Sequence, residues 1–309
     1  MKHKRSVGEL SARGEGSVDV GRIGIWTVQF EQQPWAAVAE AAAELDELGY
    51  GALWFGEGRG REVFAQAALL LSATRRIVVA SGVANIYARD AVAMAAGQRT
   101  LGEAFPGRFL LGIGVSHSWL VEGLRGHAYG PPLATMRAYL AAMEAAPYDP
   151  PRAADEPRLL AALGPKMLEL ARDRAAGAHP YFVPVEHTRR ARQILGQGPL
   201  LAPEQAVVLE RDPDRARQIA RRYMAPYFAM ENYTNNLRRL GYGDEDLVNG
   251  GSDRLVDAIV AWGSLDDVGA RVRAHLDAGA DHVGVQVLPA DPAGVPRREW
   301  RKLAAALVG

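Results

Sequence analysis

The sequence predicts a (β/α)8 barrel, and three observations predict it. Short apolar, β-branched runs alternate with Ala-rich helical segments along most of the chain. The alternation yields eight strands, the count of that barrel, with a helical insertion between strands seven and eight. The first strand runs into Thr27-Val28-Gln29-Phe30 and not into GxGxxG, which disfavours the rival doubly wound sheet.

The elements follow in order. Residues 22–28 (RIGIWTV) read as the first strand, and 34–48 as an Ala-rich helix stopped by Gly49. Residues 52–57 (ALWFGE) are the second strand, followed by a helix over 62–73. The third strand, Ile77-Val78-Val79-Ala80, is apolar throughout, as a strand covered on both faces should be. It runs into Ser81 and Gly82; a glycine there marks a bulge or a close approach to the backbone. Asp90 is placed to cap the next helix, residues 91–104. The fourth strand, RFLLGIGVSH over 108–117, carries Gly112 and Gly114 on one face. Each glycine alone fits tight packing; on two neighbouring strands they suggest a flat surface kept clear for a large planar ligand.

A polar Gly/Pro link over 116–132 and a helix over 133–146 lead to the fifth strand at 158–162. Gly164-Pro165-Lys166 then opens a helix to Arg174, with Pro at the first turn, where its missing N–H costs nothing. Residues 177–183 are the sixth strand, 186–195 its helix, and 200–210 the seventh strand. Asp212 caps a long helical stretch interrupted at Pro226, and 223–251 reads as a polar, irregular segment over one end of the barrel. Helices over 253–261 and 265–278 precede the eighth strand at 282–288, and a helix over 297–307 follows. Residues 1–20 read as a poorly ordered leader and 21–309 as one barrel domain.

The totals narrow the function classes. Lys+Arg and Asp+Glu both number 36, so the net charge is zero, and nucleic-acid or anionic-membrane partners are disfavoured. Absence of cysteine excludes disulfides, thiolate metal sites and CxxC redox pairs. The seven histidines show no ligand spacing, so no metal is expected. No apolar run approaches the ~20 residues of a membrane span. The basic N-terminus lacks the apolar core of a signal peptide, so the reading is cytoplasmic.

Barrels place their chemistry at the C-terminal ends of the strands. Those tips hold Trp26, Glu57, Gly82, Val83, Asn85, Ser116, His117, Gly164, His179, Tyr181 and Gln286. Glu57 has two readings, a surface pair with Arg59 or Arg61 or a carboxylate beneath a bound ring. His117 is placed for proton transfer, since imidazole titrates near neutrality. His179 also fits a hydrogen-bonded core histidine, and Trp26 and Tyr181 also fit core aromatics. Gln286, between Val285 and Val287, faces opposite to them and is expected to line the barrel interior. The turn at Leu163, Gly164 and Lys166 is the best anion site, combining a helix N-terminus with a full positive charge.

In GRIGIWT, LWFGEG, ASGVANIYARDAVAMAA, FPGRFLLGIGVSH, LAPEQAVVLE and DAGADHVGVQVLP the chain resembles the luciferase-like superfamily. Within it, the resemblance is to the oxidoreductases that use the deazaflavin coenzyme F420, and it runs over about residues 21–289. It implies a cis peptide at Gly82–Val83 beneath the deazaflavin ring, and Asn85 at the ring's polar edge. It further implies Val115 and Ser116 along the cofactor channel, and Leu163 and Gly164 offering N–H groups to the phosphate. Glu57 occupies the family's acidic position. Relatives acting on sugar phosphates carry histidine next to it, whereas this chain has Gly58, which argues against a sugar-phosphate substrate.

The expected reaction is hydride transfer between F420 and a small organic molecule, with His117 as proton donor and Glu57 second. Tyr233, with Asn232 and Asn236, is expected to cover the substrate beside Trp26, His179, Tyr181 and Gln286. The alternatives are an FMN-dependent monooxygenase of the same superfamily and a deazaflavin-binding protein without turnover; a cofactor-free barrel lyase or isomerase is more distant. A homodimer is implied by the resemblance alone.

Overall fold

Strands β1 (Ile23–Trp26), β2 (Ala52–Phe55) and β3 (Val78–Ser81) run parallel, with Gly24 beside Ala52 and Ala52 beside Val78. This computed structural model describes residues 18–308. Strand β4 (Ala84–Asn85) continues β3 after a break, and both pair with β5 (Phe109–Gly114). Then follow β6 (Arg158–Leu160), β7 (Gly177–Ala178), β8 (Leu200–Leu201) and β9 (Glu204–Val208). Strand β10 (Val260–Trp262) pairs with β9, and β11 (Val283–Val287) lies between β9 and β1.

Strands β8 and β9 are one stave crossing from β7 to β11. Ala202 N and Glu204 N donate to Ala178 O and Pro180 O on one side; Gly284 N donates to Pro203 O on the other. That stave closes the barrel, and the eight-stave reading holds with β3/β4 and β8/β9 each counted as one and β10 set apart as an addition beside β9.

Side-chain alternation separates two layers. Ile23, Ile25, Leu53, Phe55, Val79, Leu111 and Ile113 pack outward under the helices. Val20, Trp26, Ala52, Trp54, Ala80 and Leu110 fill the interior. The interior combines a few large rings with residues small enough to admit them. A β-carbon on Gly24 would lie 2.7 Å from His282 Nε2. Two expected caps form, Asp90 accepting from Ala93 N and Asp212 from Arg215 N, both at 2.9 Å.

The structure departs from the sequence reading in four places. The sixth strand stops at Ala178, because Pro180 has no N–H to give and Phe182 turns to φ +58°. The helix expected over 253–261 ends at Ile259, and Val260–Trp262 adds a strand. The link at 116–132 contains a π-helical turn, Trp119–Leu124. The leader lies outside the described residues up to position 17, while Val20, assigned to it, is buried. Helices Pro213–Met224, Glu231–Arg239 and Asp253–Ile259 lie between β9 and β10. They pack with Phe182, Tyr227 and Tyr233 as a separate apolar cluster.

Candidate active site

A cavity of about 1050 Å³ opens at the C-terminal ends of the strands. A second hollow of about 700 Å³ involves none of the strand-tip residues singled out in the sequence; Glu144, Asp155, Arg158 and Arg174 line it. The first cavity has two walls and an anionic-ligand corner.

The first wall is the bulge. Ala80 pairs with Leu110 and Ala84 with Ile113, so four steps along β3/β4 oppose three along β5, one residue extra. The Ser81 hydroxyl bridges the mismatch, donating to Gly112 O (2.8 Å) and accepting from Gly112 N (2.9 Å). The peptide between Gly82 and Val83 is cis. Glu57 braces the bulge from the neighbouring stave. Its carboxylate accepts from Asn85 N (2.8 Å) and from both terminal nitrogens of Arg89, and its side chain is 4% exposed. The partner is therefore Arg89, not Arg59 or Arg61. Both carboxylate oxygens are engaged, so Glu57 holds the bulge.

The glycines serve a different purpose from the one expected. A β-carbon on Gly112 would lie 2.1 Å from Ser81 O, and one on Gly114 would lie 2.6 Å from Val83 Cγ2. One on Gly82 would lie 2.5 Å from Trp26 Nε1 and 2.8 Å from His179 Nε2. The missing side chains make room for the bulge itself and for the rings beneath it, and only through the bulge for a ligand. Those rings form a floor. Trp54 stacks on His179 at 4.4 Å and 6°, and donates from Nε1 to His282 Nε2 at 2.9 Å. His179 Nδ1 pairs with Ala202 O at 2.6 Å, so its Nε2 is the unprotonated nitrogen and has no partner. Burial first, and the neighbouring His282, push His179 down to about 4.

The second wall is aromatic. Trp26 lies 5.0 Å from Tyr181, and Tyr181 Oη shares a 2.9 Å hydrogen bond with Tyr227 Oη. Tyr181 also donates to Gln286 Oε1 at 2.8 Å. Gln286 points inward but lies behind Tyr181, outside the cavity lining, so it supports the wall and does not face a substrate. Tyr233 lines the cavity with Asn232, while Asn236 is buried away from it. His117 sits at the mouth, its ring 5.6 Å from Tyr233. Burial lowers its pKa from the ordinary 6.5, and the Asn232 side chain offsets part of that. Burial thus favours its neutral imidazole over the charged form.

The third feature is a corner rich in donors. The N–H groups of Leu163, Gly164 and Lys166, at the start of the helix Pro165–Arg174, donate to no backbone carbonyl. Lys166 lines the cavity there, and Arg239 Nη2 lies 3.6 Å from where a β-carbon on Gly164 would stand. Between bulge and corner lie Val115 and Ser116, the latter at φ +58°, with Tyr129 Oη donating to Ser116 O at 3.2 Å. Asn85 completes the bulge side. Its Oδ1 accepts from Tyr87 N at 2.9 Å and its buried Nδ2 has no partner.

The structure thus gathers Trp26, Glu57, Gly82, Val83, Asn85, Val115, Ser116, His117, Leu163, Gly164, Lys166, His179, Tyr181 and Tyr233 around one cavity, and leaves out Gln286 and Asn236. Sequence reasoning missed Arg89, Tyr129, Tyr227 and Arg239. An arginine four residues after Asn85 was a usable signal for a brace; nothing local marked Arg239, which arrives from a distant helix. Among the described residues no group of His, Asp and Glu could hold a metal ion, and no helix is long and apolar enough to cross a membrane.

Residues 16–282 match the model of the luciferase-like monooxygenase family. The chain is 25% identical over 313 residues to a 5,10-methylenetetrahydromethanopterin reductase of Methanolobus tindarius, covering 87% of this chain and 94% of that protein. Its fold is similar to an F420-dependent secondary alcohol dehydrogenase in complex with an F420-acetone adduct (TM-score 0.73, 13% identity, 93% of this chain and 99% of that one). It is also similar to the coenzyme F420 dependent tetrahydromethanopterin reductase of Methanopyrus kandleri (TM-score 0.69, 16% identity, 94% and 98%). An FMN complex of the oxygenating constituent of 3,6-diketocamphane monooxygenase from Pseudomonas putida shares the fold as well (TM-score 0.67, 17% identity, 92% and 96%).

Proposed function

The chain belongs to the luciferase-like monooxygenase family, and from that premise we propose that it is an oxidoreductase moving a hydride between coenzyme F420 and a small organic substrate. The observation that carries the reading is the pairing of two features within one cavity of about 1050 Å³. At one end the braced bulge offers an orphaned amide donor, Asn85 Nδ2. At the other, three free N–H groups, Lys166 and Arg239 suit a phosphate. A ring joined to a phosphate tail matches that donor set.

In this reading the peptide of Gly82 and Val83 backs the ring, Asn85 holds its polar edge, and Val115 and Ser116 flank the linker. Leu163, Gly164, Lys166 and Arg239 hold the phosphate. The bound deazaflavin supplies the redox chemistry, giving or taking a hydride at ring carbon five. Trp26, Tyr181 and Tyr233 exclude water and bound the substrate, with His179 beneath them. His117, its neutral form favoured by burial, takes a proton when the substrate is oxidised. A homodimer belongs to the same proposal, to be read by light scattering.

The test is anaerobic turnover. Protein mixed with reduced F420 and a panel of ketones, imines and pterins is expected to restore deazaflavin absorbance with at least one of them, without dioxygen. Dioxygen consumption with reduced FMN, and no F420 turnover, would instead make the chain a flavin monooxygenase.

A further inference from the structure

Two arms of the donor corner are held from behind by one helix, Val185–Leu195, through His187 and Arg190, neither of which lines the cavity. His187 is 2% exposed, and its Nε2 pairs with Leu163 O at 2.9 Å. A carbonyl only accepts, so Nε2 carries the proton; Nδ1 is buried with no partner among the described residues. Burial first, with Arg239 and Arg190 adding to it, pushes the ring down to about 4, so this neutral tautomer persists at pH 7. Arg190 Nη1 donates at 2.7 Å to Arg239 O, at the end of the helix Glu231–Arg239. Residues three apart share a helix face, so both contacts come from one side of one element.

The contact with Leu163 fixes more than a carbonyl. The Leu163–Gly164 peptide is trans, since the one cis bond among the described residues is Gly82–Val83. In a trans amide the C=O and N–H point in opposite directions. With Leu163 O turned back onto His187, the Gly164 N–H points away from that helix, and Gly164 lines the cavity. Arg239 Nη2 stands 3.6 Å from where a β-carbon on Gly164 would lie, so the guanidinium and this N–H flank one spot. Packing alone does not ask for histidine here. A leucine would fill the space without leaving a buried nitrogen unpaired.

We propose that His187 and Arg190 are the positioning residues of the anion corner, aiming the Gly164 N–H and the Arg239 guanidinium at one phosphate group without touching it. The inference rests on the oxidoreductase reading for one point, that the phosphate belongs to F420; the aim of the donors rests on the contacts above. An N–H donor holds an anion well only near its own axis, and the bond weakens steeply as the angle closes. His187 sets that axis for Gly164 through the shared peptide. Arg190 sets the base from which Arg239 reaches, by anchoring the carbonyl of that residue. Donors oriented before the ligand arrives need no ordering when it binds, and affinity gains accordingly.

Inorganic phosphate is the probe, so the test needs no cofactor. In protein whose glycines carry the NMR-active nitrogen isotope, the Gly164 amide signal is identified by its loss in Gly164→Ala. That signal is expected to move on titration with phosphate, and not with chloride at equal ionic strength. In His187→Leu the movement should need roughly tenfold more phosphate or vanish, as suits the loss of one hydrogen bond to a charged group. His187→Gln restores a donor of similar reach and should recover the response, which a packing role would not do. Arg190→Met should need about threefold more phosphate. A Gly164 signal indifferent to phosphate in the wild type, an unchanged response in His187→Leu, or equal loss in His187→Leu and His187→Gln overturns the proposal. Should His187→Leu fail to fold, Arg190→Met decides by the same measurement. Failure of F420 to bind would strike the oxidoreductase reading and leave the phosphate result standing.

Discussion

The two walls of the cavity are built on opposite plans. The bulge wall is main chain held by paired polar groups. Ser81 stitches it to β5, Glu57 and Arg89 clamp it, and glycines at 82, 112 and 114 let it sit close to its neighbours. The facing wall is side chain, four tyrosines from separate segments, and it leaves Glu204 Oε1 and Tyr223 Oη unpaired. The bulge wall fixes the shape of the cavity and keeps one buried amide donor, Asn85 Nδ2, unpaired. The tyrosine wall contributes ring surface from Tyr181, Tyr227 and Tyr233.

The two walls should differ most visibly when the clamp is removed. Glu57→Ala leaves Arg89 buried without its main partner, and is expected to lower unfolding free energy by ~3–5 kcal/mol and abolish F420 binding, read by denaturant titration and fluorescence. Gly112→Ala drives a β-carbon into Ser81 O and should cost ~1–3 kcal/mol, with no effect of comparable size from Tyr227→Phe on the other wall.

Acid should act on the floor and the outer packing. Burial holds His179, His187 and His282 at about 4 and His275 at about 3. Their folded values lie below the unfolded value of 6.5, so the unfolded chain binds more protons and stability falls as pH drops below that value. At pH 5 each is expected to cost ~2 kcal/mol, seen as a falling Tm between pH 7 and pH 5. Glu204 has the opposite sign. Its folded value is raised by burial, so stability declines as pH rises toward about 8, and Glu204→Gln should remove that decline. The smallest effect belongs to the phosphate corner. Lys166→Ala or Arg239→Ala is expected to weaken F420 about tenfold each, ~1.4 kcal/mol, with Tm unchanged.

How far the sequence reveals these walls follows from their construction. The bulge wall is contiguous, and Ser81, Gly82, Asn85, Gly112 and Gly114 lie within one strand–helix–strand unit whose pattern is local. Even so, the purpose of the glycines was misread, because what a missing β-carbon avoids is set by a neighbouring strand. The tyrosine wall joins Tyr181, Tyr223, Tyr227 and Tyr233 across loop, helix and turn, and no spacing announces that. Glu204 sat in LAPEQAVVLE as an unremarkable strand residue; its burial, which makes it unusual, is a tertiary property. Strand β10 was lost for a similar reason, three residues at a helix end that only pairing with β9 defines.

The bulge and the donor corner are proposed to receive one deazaflavin. Titrating the protein with F420 and, separately, with FMN, following quenching of cofactor fluorescence, tests this directly. Saturable quenching of F420, weakened by Glu57→Ala and by Lys166→Ala, is the predicted result. No saturable binding of F420 by the folded wild-type protein would contradict it.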